Sequence, residues 1–285
     1  METQQYHYNV SGSASVPMAV DVHVPANTKE ELPIVIYAHG INGFKDWGGM
    51  NLIAQAFAKA GFAFLKFNFS HNGTTPARPE EFFDLEAYKK DTYLKRQFDL
   101  ERILNFLHSP HPEFNCDLSQ ISLIGHSRGG ADAILFAAQE SRISKLITWA
   151  SVQHARTPWD KMSPDEIEDW KAKGFFTRKN GRTNQELPIG YSLYEEYKQH
   201  KEKLDVEMAA RRIKQNWLII HGDDDEAVFV KSAYDLKEWQ PEARVFIVEN
   251  TGHTFDRVHP WEKEELPEAS LKIVDRSIEF LKEVQ

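Results

Sequence analysis

Residues 121–130 read ISLIGHSRGG, and this stretch decides the fold of the chain. The run 121–124 is apolar and partly β-branched, which predicts a buried strand, whereas the Ala-rich run 131–138 has the apolar spacing of a helix. Gly125 and Gly129 carry no Cβ, so the strand and the helix can approach each other closely. Because no loop fits between them, Ser127 is forced into a strained turn that exposes its hydroxyl.

Ser127 is a candidate nucleophile because of the place that this turn gives it. The first turn of a helix has unpaired backbone N–H groups, which favour developing negative charge. A Gly-x-Ser-x-Gly motif between a strand and a helix is typical of a nucleophilic serine. A hydroxyl needs a nearby histidine as base, and that histidine is normally held by a carboxylate. The rest of the chain should therefore supply both.

The composition limits the class of protein. With 285 residues, 41% of them hydrophobic, the chain is long enough for one large α/β domain with an insertion. The formal net charge of −9 argues against nucleic acid or an anionic membrane surface as a partner. Cys116 is the single cysteine, which excludes an intramolecular disulfide and a thiolate metal cluster.

Two further absences concern location. Residues 1–10 contain neither a basic segment nor an apolar run, so we expect no signal peptide. No stretch approaches the 18 apolar residues that a transmembrane helix requires. We therefore expect a cytoplasmic protein without membrane contact.

Apolar runs and helical patterns alternate along most of the chain, which predicts a mostly parallel sheet covered by helices on both faces. An N-terminal hairpin is expected at 3–24, and a single long amphipathic helix at 85–107. A closing helix is expected at 264–284. Chemistry in such sheets lies at the carboxyl ends of the strands. The predicted strands after the hairpin lie at 34–38, 62–67, 121–124, 143–150, 217–221 and 245–248.

The segment 152–214 differs in character, because strand patterns vanish and charges and aromatic residues crowd together. Helices are expected at 164–173 and 192–213, on either side of a turn region at 174–190. A structureless loop of this length is improbable within a compact domain, so the segment is interpreted as an inserted helical cap. Its aromatic residues could form the core of that cap or the wall of an acyl pocket; these are Trp159, Trp170, Phe175, Phe176, Tyr191 and Tyr194.

Two of the predicted strand ends supply candidates for the acid and the base. The sequence HGDDDEAV at 221–228 offers four neighbouring carboxylates, and NTGHTF at 250–255 places His253 directly after the last strand. An order of Ser127, then an acid, then His253 is the order of nucleophile, acid and base in α/β-hydrolases.

These motifs resemble the α/β-hydrolase superfamily, specifically the single-chain serine esterases and acylaminoacyl-peptidase-like hydrolases with an inserted cap. The layout is also similar to that of cinnamoyl (feruloyl) esterases. The resemblance implies an α/β-hydrolase fold, with a core at 1–151 and 215–285 and a helical cap at 152–214. The acid of this family lies in a His-Gly-x-x-Asp-x-x-Val pattern, which favours Asp225 over Asp223, Asp224 and Glu226. The base of the family follows a glycine, as His253 does.

Acyl transfer also needs donors that hold the oxyanion of the tetrahedral intermediate. One should be the backbone N–H of Arg128, which follows the nucleophile at the start of the helix. The layout of the family implies that the second is the backbone N–H of Ile41, in the loop 39–49. The side chain of Arg128 could contact substrate or pair with a surface carboxylate.

The expected function is hydrolysis of a small-molecule carboxylic ester by Ser127, His253 and Asp225, with no cofactor and no metal ion. An aminopeptidase or acylaminoacyl peptidase, or a thioesterase, would use the same residues. A non-catalytic binding protein on the same fold is the third alternative. The sequence does not indicate the acyl and alcohol specificity or the oligomeric state.

Overall fold

A computed structural model of the protein describes residues 2–111, 113–181 and 183–283. Two sheets are formed within these ranges, one of eight strands and one of two. The strands are β1 Thr3–Ser11, β2 Pro17–Pro25, β3 Glu31–Ala38, β4 Ala63–Phe67, β5 Asn115–His126, β6 Ile143–Trp149, β7 Phe175–Lys179, β8 Glu186–Gly190, β9 Asn216–Gly222 and β10 Arg244–Val248.

The helix predicted at 164–173 is confirmed, the one predicted at 131–138 begins earlier, at Arg128, and the closing helix predicted at 264–284 begins only at Glu268. The last residue of the predicted closing helix, 284, lies outside the described residues, as do the ends of the predicted core, 1 and 285. The helices are α1 Met50–Lys59, α2 Leu85–Lys89, α3 Tyr93–Leu107, α4 Arg128–Ala137, α5 Pro164–Lys173, α6 Ser192–Gln199, α7 Val206–Ala210, α8 Lys231–Trp239 and α9 Glu268–Lys282.

The large sheet has the strand order β1-β2-β4-β3-β5-β6-β9-β10. The predicted N-terminal hairpin is confirmed, because β1 pairs antiparallel with β2, and β2 then pairs antiparallel with β4. From β4 to β10 all neighbours are parallel. The carboxyl ends of β3, β5, β9 and β10 therefore point to the same edge of the sheet.

Helices cover both faces of this sheet, as expected for an α/β fold. Alternate residues of β3 point to opposite faces, as the two-residue period of a strand requires. Val35 and Tyr37 pack in the cluster that includes α1 and α9. Ile34 and Ile36 pack in the cluster that includes α3, α4 and α8. Both faces are thus buried, which explains why the parallel strands read as continuous apolar runs.

The prediction of one helix over 85–107 is wrong, because the chain breaks between α2 and α3. Thr92 has an extended backbone at φ −138° and precedes α3, whereas Asp84 caps α2 by accepting a hydrogen bond from the Ala87 N–H. Between the two helices, Asp91 pairs with the side chain of Arg128, 2.7 Å away. The spacing of apolar residues does not indicate this break, because the partner of Asp91 lies 37 positions further along the chain.

The segment between β6 and β9 holds α5, α6 and α7, but it is not wholly helical as predicted. Strands β7 and β8 form an antiparallel hairpin within the predicted turn region 174–190. The predicted helix 192–213 is interrupted before α7, where Asp205 caps the new helix by accepting from the Met208 N–H. The boundaries 152–214 of this cap segment stay a prediction. None of the helices in the described ranges combines the length and apolar composition that crossing a membrane requires.

Candidate active site

The predicted turn at Ser127 is present, with the residue between the end of β5 and the start of α4. Ser127 has φ 58° and ψ −122°, a backbone conformation that residues other than glycine rarely adopt. A Cβ on Gly125 would lie 2.3 Å from the carbonyl oxygen of Gly129, and one on Gly129 would lie 2.3 Å from that of Ala38. Both glycines are therefore needed for close approach. The backbone N–H of Ser127 donates to the Trp149 carbonyl at 3.0 Å, which anchors the turn to β6.

The structure brings Ser127, His253 and Asp225 together in one hydrogen-bonded row. The distance from Ser127 Oγ to His253 Nε2 is 2.9 Å, and the distance from His253 Nδ1 to Asp225 Oδ2 is 2.7 Å. These residues follow β5, β10 and β9 respectively, so the carboxyl ends of three parallel strands supply them. A Nδ1–H directed at Asp225 leaves the Nε2 lone pair facing the hydroxyl.

Asp225 is the buried member of its acidic run, whereas Asp223, Asp224 and Glu226 are exposed. Its Oδ1 accepts from the backbone N–H groups of Ala227 and Val228 at 2.9 and 2.8 Å. Burial alone would raise the pKa of the Asp225 carboxyl, but hydrogen bonds from His221 and His253 outweigh it and hold the pKa well below its usual range. Asp225 is thus kept as a carboxylate.

Of the two predicted oxyanion donors, Arg128 follows Ser127 directly and Ile41 lies in the loop that packs on Ser127. Arg128 is the first residue of α4, so its N–H has no acceptor within the helix. Gly40 packs so closely on Ser127 that a Cβ there would lie 2.9 Å from the Ser127 Cβ. Ile41 comes next along this loop and lines the same cavity as Ser127.

Buried charges hold the loop that carries Ile41. Asp21 on β2 accepts from Lys45 at 2.5 Å and from Lys66 at 2.6 Å, and Asp46 accepts from both lysines. All four side chains are at most 7% exposed. Because Lys45 and Asp46 lie in the loop, this four-charge cluster fixes the loop to the sheet.

His39 stabilises the start of the same loop through its two ring nitrogens. Its Nδ1 donates to the Gly40 carbonyl at 2.9 Å, and its Nε2 accepts from the Phe69 N–H at 3.3 Å. Burial, reinforced by the charge of Arg96, lowers the pKa of His39 to about 3, so the ring is neutral at physiological pH. Arg96 also donates from Nη2 to the His39 carbonyl, at 2.6 Å.

The side chain of Arg128 does not reach the substrate cavity. It is buried, donates to Asp91 and lies over the Tyr93 ring, with 4.4 Å between its guanidinium carbon and the ring centroid. Arg96, also buried, donates from Nε to Asp132 Oδ2 on α4 at 2.6 Å. The helix that follows Ser127 is therefore held by two ion pairs. A carboxylate partner for Arg128 is one of the two alternatives that the sequence left open, whereas the sequence did not indicate the Arg96–Asp132 pair.

A cavity of about 880 Å³ opens in front of Ser127. Its sheet side includes the loop at 39–47, His126 and the residues that follow His253. The cap segment contributes the other side, from loops at 152–161 and from the hairpin near Arg178. Trp47 gives the sheet side a partly exposed aromatic surface, whereas Tyr37 and Phe44 beside it are buried.

The aromatic residues of the cap segment that sequence analysis singled out do not line this cavity. Trp159 and Trp170 are at most 4% exposed and pack on each other with ring centroids 6.2 Å apart. Phe176, Tyr191 and Tyr194 surround them. Phe175 is 38% exposed, with the ammonium group of Lys89 over its ring. The other five side chains form the aromatic core of the cap segment, and Phe175 lies outside it.

Sequence analysis missed two residues of the cavity wall. His126 donates from Nε2 to the backbone carbonyl of His253 at 2.9 Å, with ring centroids 4.9 Å apart, and so positions the loop of His253. Arg257 is 2% exposed and lies four residues after His253. The motif that contains His126 could have indicated a wall position. A single arginine in a charged loop gives no comparable pattern.

The fold and the row of polar residues define the class of α/β-hydrolases. The family model BD-FAE, which describes an esterase domain of the α/β-hydrolase type, matches residues 20–240. The chain therefore belongs to this family of hydrolases. A search of curated proteins found no match.

Solved structures give the same fold. Est1E from Butyrivibrio proteoclasticus with bound ferulic acid has a TM-score of 0.72 at 19% identity, covering 96% of this chain and 97% of that one. DcsB in complex with its substrate analogue has a TM-score of 0.72 at 15% identity, covering 98% and 99%. A dienelactone hydrolase from Anabaena variabilis has a TM-score of 0.61 at 17% identity, covering 98% and 97%. At these identities the likeness establishes the fold alone.

Proposed function

We propose that this protein is a serine hydrolase of carboxylic esters, with Ser127 as nucleophile, His253 as base and Asp225 as the acid that orients His253. The observation that carries the proposal is the position of His253, whose two ring nitrogens lie 2.9 Å from Ser127 Oγ and 2.7 Å from Asp225 Oδ2. Such a row activates a hydroxyl that is otherwise a weak nucleophile.

In the first half of the reaction, Ser127 Oγ attacks the ester carbonyl while its proton moves to His253 Nε2. The carbonyl oxygen becomes an oxyanion, which the backbone N–H groups of Ile41 and Arg128 stabilise. When the tetrahedral intermediate collapses, the C–O bond to the alcohol breaks and His253 returns the proton to the leaving oxygen. An acyl-enzyme on Ser127 remains.

In the second half, water attacks the acyl-enzyme and gives its proton to His253 Nε2. The second tetrahedral intermediate uses the same two N–H donors. Its collapse releases the carboxylic acid and returns the proton to Ser127. Asp225 stays ionised throughout and stabilises the imidazolium of His253. No resident cofactor or metal ion enters these steps.

The acyl group is proposed to be large and of the feruloyl type, because three features support a bulky substrate. The cavity measures about 880 Å³ and has Tyr37, Phe44 and Trp47 on its sheet side. Est1E, which shares the fold, has been solved with ferulic acid. Hydrolysis of methyl ferulate beside methyl acetate tests this part of the proposal.

The decisive experiment measures turnover of p-nitrophenyl esters from acetate to decanoate by the wild type, Ser127→Ala and Ser119→Ala. Ser119 is an exposed residue at the other end of β5, so its substitution is a matched control. We expect Ser127→Ala to lose roughly 10³- to 10⁶-fold in kcat, as in other serine hydrolases. The control should retain wild-type turnover.

A fluorophosphonate probe separates the remaining outcomes, because it labels an activated serine whether or not a good ester is at hand. Labelling of the wild type at Ser127 together with inactivity on all esters would favour thioesters or aminoacyl amides as substrates. No labelling and no turnover would indicate a non-catalytic binding protein and contradict the proposal.

A further inference from the structure

The chain itself compensates the other buried cations of the described ranges, either with a carboxylate or, at Lys145, with the three backbone carbonyls of Phe280, Leu281 and Glu283. Arg96 pairs with Asp132, and Arg128 pairs with Asp91. Lys45 and Lys66 share their two aspartates in the four-charge cluster. Such pairing is expected, because an ion removed from water without a counter-charge is strongly unfavourable.

Arg257 departs from this rule. It is 2% exposed, yet within the described ranges no Asp, Glu or chain terminus forms an ion pair with it. Its Nε donates to the Thr254 carbonyl at 3.2 Å and its Nη1 to the Gly48 carbonyl at 3.5 Å. In the described part of the chain, no acceptor is bonded to Nη2. Burial lowers the pKa of the guanidinium, which records the missing counter-charge.

The location of Arg257 makes the missing anion informative. Its side chain lines the cavity in front of Ser127, on the loop that carries His253. Trp47 and Tyr37 lie beside it, with 5.9 Å between the guanidinium carbon and the Trp47 ring centroid. An unpaired buried cation in a catalytic cleft is a candidate for ligand binding.

The charge of the whole cavity agrees with this location. Lys161 and Arg178 lie around its entrance, in a protein whose net charge is −9, whereas Lys231, also in the lining, is paired with Asp235. Among the described lining residues, Asp160 is the sole carboxylate, and it is paired with His154 and Arg156. The cavity therefore presents positive charge to a ligand.

We propose that Arg257 binds a carboxylate of the substrate, so that the preferred substrate is an ester that also carries a free carboxylate, such as a monoester of a dicarboxylic acid. A planar guanidinium offers a carboxylate several N–H donors at once, and the burial of Arg257 strengthens this charge-assisted bond. The inference rests on the proposed ester hydrolysis, but its binding component can be tested separately.

The kinetic test uses the monoethyl esters of succinate, glutarate and adipate. Each is compared with the neutral ethyl ester in which a methyl group replaces the carboxylate. The wild type should hydrolyse at least one anionic ester with the higher kcat/KM. In Arg257→Met the anionic-to-neutral ratio of kcat/KM should fall roughly 10- to 100-fold, as expected for a lost charge-assisted hydrogen bond. Arg257→Lys, which keeps the charge, should restore part of the ratio.

Arg212→Met is the matched control, because Arg212 is exposed and lies outside the cavity lining. It removes the same charge by the same substitution and should leave the ratio unchanged. If Arg257→Met lowers both rates equally, Arg257 only braces the loops at Gly48 and Thr254, and the inference is overturned. A wild type that prefers every neutral ester overturns it as well.

Calorimetric binding keeps this inference separate from the proposed hydrolysis. Monoethyl glutarate is titrated into Ser127→Ala and into Ser127→Ala combined with Arg257→Met. Binding that requires Arg257 supports the anion site even if the wild type cleaves no ester at all. If the wild type hydrolyses neutral esters well but the two variants bind monoethyl glutarate equally, the hydrolase proposal stands and the anion site is refuted. Thermal unfolding of each variant verifies that it is folded.

Discussion

The two sides of the cavity are built on different principles. On the sheet side the polar residues are buried and each is held by further partners, as Asp225 is by two backbone N–H groups and two histidines. On the cap side the lining comes from loops and a hairpin whose charged residues are largely exposed, among them Lys161 and Arg178. The comparison teaches that the sheet side is suited to fixed chemistry, whereas the cap side can change without disturbing it.

Adding one methyl group on each side of the cavity should give the largest difference in stability between the two sides. A Cβ at Gly129 would meet the Ala38 carbonyl at 2.3 Å, whereas a Cβ at Gly181, on the cap side, meets nothing within 4 Å. We expect Gly129→Ala to cost about 5 kcal/mol or more, because backbone cannot move away as a flexible side chain can. Urea unfolding should show Gly181→Ala within about 0.5 kcal/mol of the wild type.

The ion pairs of the two sides should also differ in strength. Arg96 and Asp132 are at most 1% exposed, whereas Arg156 and Asp160 are 48% and 34% exposed. Arg96→Met should lower the free energy of unfolding by about 3–5 kcal/mol, because it leaves a buried carboxylate without its partner. Arg156→Met should lower it by about 1 kcal/mol at most, since solvent screens the pair. Equal effects in chemical denaturation would contradict the distinction.

Acid should lower the free energy of unfolding through His39, a buried residue of the sheet side. The pKa of His39 falls from 6.5 to about 3 on folding, chiefly through burial, so the unfolded chain takes up the proton first as the pH drops. The neutral ring therefore stabilises the native state above pH 6.5, and this stability is lost between pH 6.5 and 3, by about 1.4 kcal/mol per pH unit. His39→Gln should flatten the pH dependence of unfolding by that slope. The same change at His200, an exposed residue of the cap segment, should leave it as in the wild type.

The smallest expected effect concerns the cap side and depends on the proposed carboxylate site. Lys161 is exposed at the entrance, so its charge can attract an anionic ester but not hold it. Lys161→Met should lower kcat/KM for such an ester by roughly two- to three-fold, and 0.5 M salt should remove the difference. A loss that persists at high salt would show a direct contact instead.

The sequence was most informative where residues close together in the sequence decide the local structure. The glycines around Ser127 require a close approach of strand and helix whatever surrounds them, and the distances at Gly125 and Gly129 agree. The parallel sheet followed from its apolar runs. The choice of Asp225 and His253 came from a motif and the chain order, and the structure places both in contact with Ser127 or its partner. Their catalytic roles stay a prediction.

Sequence reasoning failed where distant residues decide the structure. The break before α3 depends on the Asp91–Arg128 pair, and a period of 3.6 residues contains no information about it. Strands β7 and β8 were missed because most of β7 is exposed, so it lacks the alternation that marks a half-buried strand. Arg257 was missed because no carboxylate in the described part of the chain pairs with it, and its proposed partner is the substrate.

The two separate roles of the main chain and the side chain of Arg128 predict a pattern of sequence variation among relatives. In the proposed mechanism only its main chain serves the reaction, and any residue type can provide that N–H. Its side chain was therefore free to acquire a separate task, the bond to Asp91 that shapes the start of α3. Relatives with another residue at position 128 should also have lost the acid at position 91, and the two positions should covary while Ser127 beside them does not change.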